Sequence, residues 1–218
     1  MLMLDIFKKP VTIIIIFVAI IIALGWSYYE SWSESRKNST TITDTTPVQI
    51  IDLATVDSAE FDETVRDEYA LAKSKALEAK GSNTLRAIEI ELPSVEINSG
   101  NNRYVFANPE DTENNWTITI SQLTSNYIRA SIPKNDYMGD LEELNTKLWK
   151  FNYVTALQLA ESNGGLTFRE NNSIASVKLI LKHFSPNNWL LWHVTYTSTT
   201  DNEFSVKIDS NSGEIIEE

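Results

Sequence analysis

Apolar and polar positions alternate most regularly over residues 188–214. Trp192, Val194 and Tyr196 share one face there, and Leu191, His193 and Thr195 share the other. After a polar break at 197–203, Phe204, Val206 and Ile208 form a second alternating set, and Asp209 to Gly213 supplies a closing turn. The pattern predicts a hairpin with one apolar face that a helix must cover.

Upstream, Phe61, Val65, Tyr69, Ala72, Ala76 and Ala79 recur at spacings of three and four, which predicts a helix over residues 57–80. Acidic residues load its first half and Lys73, Lys75 and Lys80 its second, complementing the helix dipole, and Gly81 stands where a C-terminal cap is wanted. Strand-like runs follow at 85–92, 103–107, 116–121 and 127–132, separated by Asn-rich turns. Leu141, Leu144, Leu148, Phe151, Leu157 and Ala160 predict a second helical region over 141–163, bent or broken near Thr155 and ended by Gly164-Gly165. A strand at 174–181 then leads into the hairpin.

Residues 10–29 carry no charge and are apolar throughout their centre, long enough as a helix to cross a hydrocarbon core of about 30 Å. Trp26, Tyr28 and Tyr29 sit where interfacial aromatics settle, and Lys8-Lys9 favours a cytoplasmic N-terminus. An uncleaved anchor is the expectation; the alternative is a signal peptide cut near Ala23-Leu24-Gly25. Residues 30–56, rich in Ser and Thr, read as a flexible stalk.

The two halves of the remainder echo each other. Aligning Trp116 with Trp192 sets WTITISQ against WHVTYTS without a gap and gives six identities in twenty positions. The alignment also matches Ile118/Ile120 with Val194/Tyr196, and Ile128/Ala130/Ile132 with Phe204/Val206/Ile208. Each half is expected to be a helix laid across a small antiparallel sheet. Units of this size sit near the lower limit for a self-sufficient core, so packing together or sharing a sheet edge would stabilise both.

Charge and composition narrow the functions open to such a chain. It has no cysteine and a net charge of −12; beyond residue 29 the excess is 29 acidic against 16 basic residues. That surface repels nucleic acid and anionic headgroups, so no nucleic-acid partner is expected. His183 and His193 are the only histidines and lack partners at metal-ligand spacing. The stretch from Asp209 to Glu214 has a superficial calcium-loop look, but Gly213 is one position early and the chain ends too soon for the bidentate Glu. Acidic neighbours such as Asp67/Glu68 and Glu142/Glu143 read as solvated helix surface. No phosphate loop or nucleophile elbow is present. No catalytic, metal, cofactor or small-molecule site is therefore expected. Trp149, Trp189 and the outer hairpin face (Leu191, His193, Thr195) are left as the candidates for partner contact.

The helix Ala156, Ala160, Gly164, the Trp-led strand Trp192-His193-Val194 and the closing Ile208-Asp209 to Gly213-Glu214 turn resemble a PepSY domain. In the first half Pro133 stands for the Asp, Tyr137 for the turn Gly, and a segment around 92–113 is inserted. With a short tail, one anchor and two tandem units, and with the runs YIRASIPK (127–134) and LLWHVTY (190–196), the layout is similar to the TseB-like cell-wall elongation regulators of Gram-positive bacteria. The resemblance implies an α+β protein with an N-terminal transmembrane helix and two tandem PepSY-like units: tail 1–9, anchor 10–29, stalk 30–56, first unit 57–139 and second unit 140–218. It implies a non-enzymatic, extracytoplasmic, single-pass membrane protein that modulates a penicillin-binding transpeptidase by contact. The alternative it leaves is a regulator or inhibitor of a secreted or membrane protease.

Overall fold

The computed structural model describes Leu53 and residues 56–216. The expected tail and anchor lie outside the described residues, as does the stalk apart from Leu53 and Val56. Leu53 is itself buried in the core, and the Gln158 side-chain amide donates to the carbonyls of Leu53 (2.8 Å) and Val56 (2.7 Å).

Helix α1 (Glu60–Lys80) forms as its periodicity predicts. Asp57 Oδ1 accepts the Ala59 N–H at its start, and Gly81 (φ +76°) donates its N–H to Leu77 O at its end. Val65, Ala72 and Ala76 are buried, with Phe61 and Tyr69 packed against them. Four antiparallel strands follow as a meander: β1 (Thr84–Leu92), β2 (Asn101–Asn108), β3 (Asp111–Ser121) and β4 (Tyr127–Pro133). The second half brings α2 (Tyr153–Ala160), α3 (Leu166–Asn171), β5 (Ile174–Phe184), β6 (Trp189–Ser198), β7 (Glu203–Asp209) and the two-residue β8 (Ile215–Ile216).

The two halves share one sheet. Its eight strands run in the order β4-β3-β2-β1-β5-β6-β7-β8, every pair antiparallel, with β1 joined to β5 over five residue pairs. One row of side chains on the helix-covered face crosses seven strands: Ile118, Tyr104, Ile88, Leu181, Trp192, Ile208 and Ile215. All but the last are 0–1% exposed, so the core is continuous across the junction.

The register is pseudo-twofold about the Ile90–Leu179 pair. It relates Ile88 to Val177, Tyr104 to Tyr196, and Ile118 to Phe204. The repeat expected from the tryptophans is thus offset by one strand, because Trp116 lies on the third strand out from the junction and Trp192 on the second. The matched core positions on β3 and β6 are nevertheless all buried.

The match fails on β4. Trp192 pairs with Ile208, but Trp116 pairs with Ser131 rather than Ile132. The cause is the turn: four residues separate the closing pair Ser121–Asn126, and three separate Ser198–Asn202. One extra residue moves the whole apolar set of a strand to the other face. Ile128, Ala130 and Ile132 therefore point away from the helices, and Ile128 is 72% exposed.

The second helical region is also shorter than its leucines suggest, because residues 141–152 are not helical. Asn152 starts α2, its Oδ1 accepting the N–H groups of Val154 (2.9 Å) and Thr155 (3.1 Å). Its amide group donates to Ser58 O and Asp62 Oδ1, tying both helix starts together. Leu144 is buried where its N–H donates to Leu85 O at the β1 bulge. Asn163 and Gly164 (φ +112°) leave the helical backbone region, so the first helical run breaks at a kink there as expected, and a second short helix, α3, starts after Gly165.

Candidate contact surface

Opposite the helices, the outer face of the sheet is treated differently in the two halves. In the first half Ala87, Glu89, Val105, Asn115 and Thr117 are all at most 2% exposed. The chain over residues 134–144 covers them. Asn115 donates to the carbonyls of Tyr137 and Gly139, Arg86 to that of Leu141, and Tyr137 Oη donates to Glu89 Oε2 at 2.9 Å. Arg103 completes the lock, with Nη1 2.6 Å from Glu89 Oε1 and Nε 3.3 Å from Thr119 Oγ1. Burial, chiefly, pushes the Tyr137 phenol well above its ordinary range. For Arg103 burial opposes the charge, and contacts with Tyr137 and Glu89 more than offset it.

No segment among the described residues covers the second half in this way. Trp189, Leu191, His193 and Thr195 all lie on its outer face, as alternation along β6 requires. Trp189 is 44% exposed, His193 and Thr195 are half-buried, and Leu191 is buried as the floor of a hollow. That hollow, ≈ 320 Å³, is walled by Phe184, Pro186, Trp189, Lys207 and Ile216. Phe184 stands opposite Trp189 across the β5–β6 pair and meets His193 edge-on at 5.8 Å. The ammonium groups of Lys182 and Lys207 lie 5.0 and 5.8 Å from its ring centroid. Nearby, His183 Nδ1–H donates to Asn188 O at 2.8 Å within the β5–β6 turn.

Trp149 lies elsewhere. It sits on the helix side, edge-on to Tyr69 (6.1 Å between centroids), with its indole N–H donated to Phe151 O at 2.9 Å. It borders a separate hollow of ≈ 220 Å³ with Asp62, Arg66 and Tyr69. The fold therefore gathers four of the five candidate residues and separates the fifth from them by the thickness of the sheet.

Two half-buried carboxylates on the helix side escaped the sequence reading. Glu68 accepts from Asn102 Nδ2 and from Tyr104 Oη (3.4 Å), and burial raises its carboxyl above the usual range. Glu161 accepts from Tyr196 Oη (2.7 Å) and pairs with Arg169 Nη2 (2.5 Å). Each half thus joins a helix glutamate to the equivalent strand tyrosine. The available signal was a tyrosine at an inward position, since a buried phenol requires an acceptor. These contacts fasten helix to sheet and offer no open cleft. Asp67 is exposed while Glu68 is turned inward, so the two do not act as a pair.

The Asp209 carboxylate is used by its own turn, accepting the N–H groups of Asn211 (2.9 Å) and Ser212 (2.8 Å), with Gly213 at φ +79°. Among the described residues no group of three or more His, Asp or Glu is placed to hold a metal ion, and no helix is long and apolar enough to cross a membrane. No protein-family model matches the chain, and no curated protein or solved structure matches it either.

Proposed function

We propose that this chain is a membrane-anchored, extracytoplasmic regulator that acts by contact on a membrane-bound protein and performs no chemistry itself. The observation that carries the reading is the asymmetry of the outer face. The outer face of one sheet is sealed by the chain over residues 134–144 in the first half and, among the described residues, left open around Trp189 in the second. A half-exposed indole beside a hollow floored by a buried leucine is the arrangement of an interface anchor. The partner suggested by the sequence resemblance is a cell-wall synthesis transpeptidase, with the sheet built from two PepSY-like units. The uncharged stretch at residues 10–29 supports the anchor and the lysines before it support the orientation.

A photo-crosslinking residue placed at Trp189 in the full chain, activated in intact cells, tests this. Capture of a membrane-bound cell-wall synthase is expected, with no capture from a control site on the helix face such as Leu77. Equal capture from both sites, or none of a cell-wall enzyme from Trp189, would refute the proposal.

A further inference from the structure

Strand β4 ends one side of the sheet as a full-length strand, paired with β3 through seven successive residues without a shift. The opposite side ends in β8, only two residues long. The Ser121 N–H donates to Asn126 O, so along β4 the backbone groups of residues 126, 128, 130 and 132 turn toward β3. Those of Tyr127, Arg129 and Ser131 therefore face outward at the sheet edge. Such a row of unpaired N–H and C=O groups is a template for another strand. Apolar surface collects at the same place. Of the seven large apolar side chains exposed among the described residues, Leu123, Tyr127 and Ile128 all lie at or just before this edge.

We propose that β4 pairs antiparallel with β4 of a second copy of this chain, with Ala130 on the twofold axis. The strand's own residues select that register. A centre at Arg129 would set two like charges directly opposite each other, which is destabilising. A centre at Ser131 would pair Arg129 with Pro133, which has no N–H to donate, and a centre at Ile128 would leave Ile132 against the turn. With Ala130 at the centre, Ile128 meets Ile132 of the second copy on the outer face, twice by symmetry. Tyr127 then meets Pro133 of the second copy on the helix side, and Arg129 and Ser131 exchange backbone hydrogen bonds. The two Arg129 side chains become diagonal neighbours, about 7–8 Å apart in solvent. Residues 127–134 hold no carboxylate, so the joint does not bring acid against acid along the strand. This self-complementarity is what favours a second copy over an unrelated strand. Because the same edge of both molecules is consumed, the assembly closes at two. The joint leaves Trp189 free and does not depend on what that residue contacts.

The chain has no cysteine, so single substitutions in the full-length protein can report the joint. Directly opposed residues of a non-hydrogen-bonded pair stand about 4.5 Å apart at Cα, within disulfide range. Ala130→Cys in membranes, oxidised with copper–phenanthroline, should give about tenfold more dimer on a non-reducing gel than Ser162→Cys at the exposed α2–α3 kink. Ile128→Cys alone should not crosslink, since its two copies stand four residues out of register, about 13 Å apart. A mixture of Ile128→Cys and Ile132→Cys chains should crosslink. Should the substitutions disturb the strand, the unaltered chain in detergent gives a second reading. Its Arg129 and Ser131 amides should exchange hydrogen about tenfold more slowly at about 200 μM than at about 1 μM. Ile128→Lys should remove that protection while leaving the urea midpoint of the dilute chain near wild type. Equal crosslinking at residues 130 and 162 would mean proximity in the membrane alone and overturns the proposal. So does an Ile128→Cys chain that crosslinks as readily as the mixture. Exchange at Arg129 and Ser131 that ignores concentration also overturns it, and leaves the edge to a strand of another protein.

Discussion

Replacing Arg103 by leucine should destabilise the fold by about 3 kcal/mol at pH 7. Glu89 is 2% exposed and its carboxylate faces Arg103 Nη1 and Tyr137 Oη. Without the guanidinium the charged carboxylate keeps one neutral donor, and breaking a buried pair typically costs about 3–5 kcal/mol. Urea denaturation of the full chain at pH 7, followed by tryptophan fluorescence, measures it. Adding Glu89→Gln should recover most of the loss, since both charges are then gone. A loss below about 1 kcal/mol would show that the Arg103–Glu89 pair is not buried in the folded state.

Three further outcomes follow from the geometry. Ile128→Ser should change stability by less than about 0.5 kcal/mol because that side chain is 72% exposed, whereas Ile208→Ser, at 0%, should cost about 3 kcal/mol or more; similar losses in urea melts would mean the β4 register is wrong. Gly165→Ala should cost about 1–3 kcal/mol, since a Cβ there would meet Ala160 O and Tyr196 Oη at 2.9 Å; a thermal midpoint unchanged from wild type would contradict the close approach. Glu68→Gln should stabilise the chain at neutral pH. The raised folded pKa of Glu68 makes its contribution present below the unfolded value and lost as pH rises, so the variant should also flatten the gain on acidification. Urea midpoints that keep the same acid dependence in both proteins would assign that dependence to another group.

The elements that were legible in sequence are those that bury one face in a regular period. Helix α1 and the β6–β7 hairpin announce themselves because Val65, Ala72 and Ala76, or Trp192, Val194 and Tyr196, must all reach the same core. What periodicity could not carry is length in a turn. The single additional residue between Ser121 and Asn126 leaves the strand pattern of β4 intact while reversing its face. Leucine spacing misled over 141–152 because Leu144 is buried against the end of a strand, a tertiary contact that mimics helical spacing. The same limit applies to the contact surface. Alternation put Trp189, Leu191, His193 and Thr195 on one face. That the first half's face is sealed and the second's open depends on the path of residues 134–144, which carries no period at all.

The eight-stranded sheet with its two halves fused at β1 and β5 also has a bearing on aim. Adjacent strands turn by about 20–25° relative to each other, so the five steps from β4 to β6 rotate the surface normal by roughly 100–125°. With that average twist the exposed isoleucine at 128 and the indole at 189, on one nominal face, would look in directions more than a right angle apart. A flat surface such as a bilayer could therefore meet one of them but not both. Two simultaneous neighbours on this sheet would then have to approach from different sides.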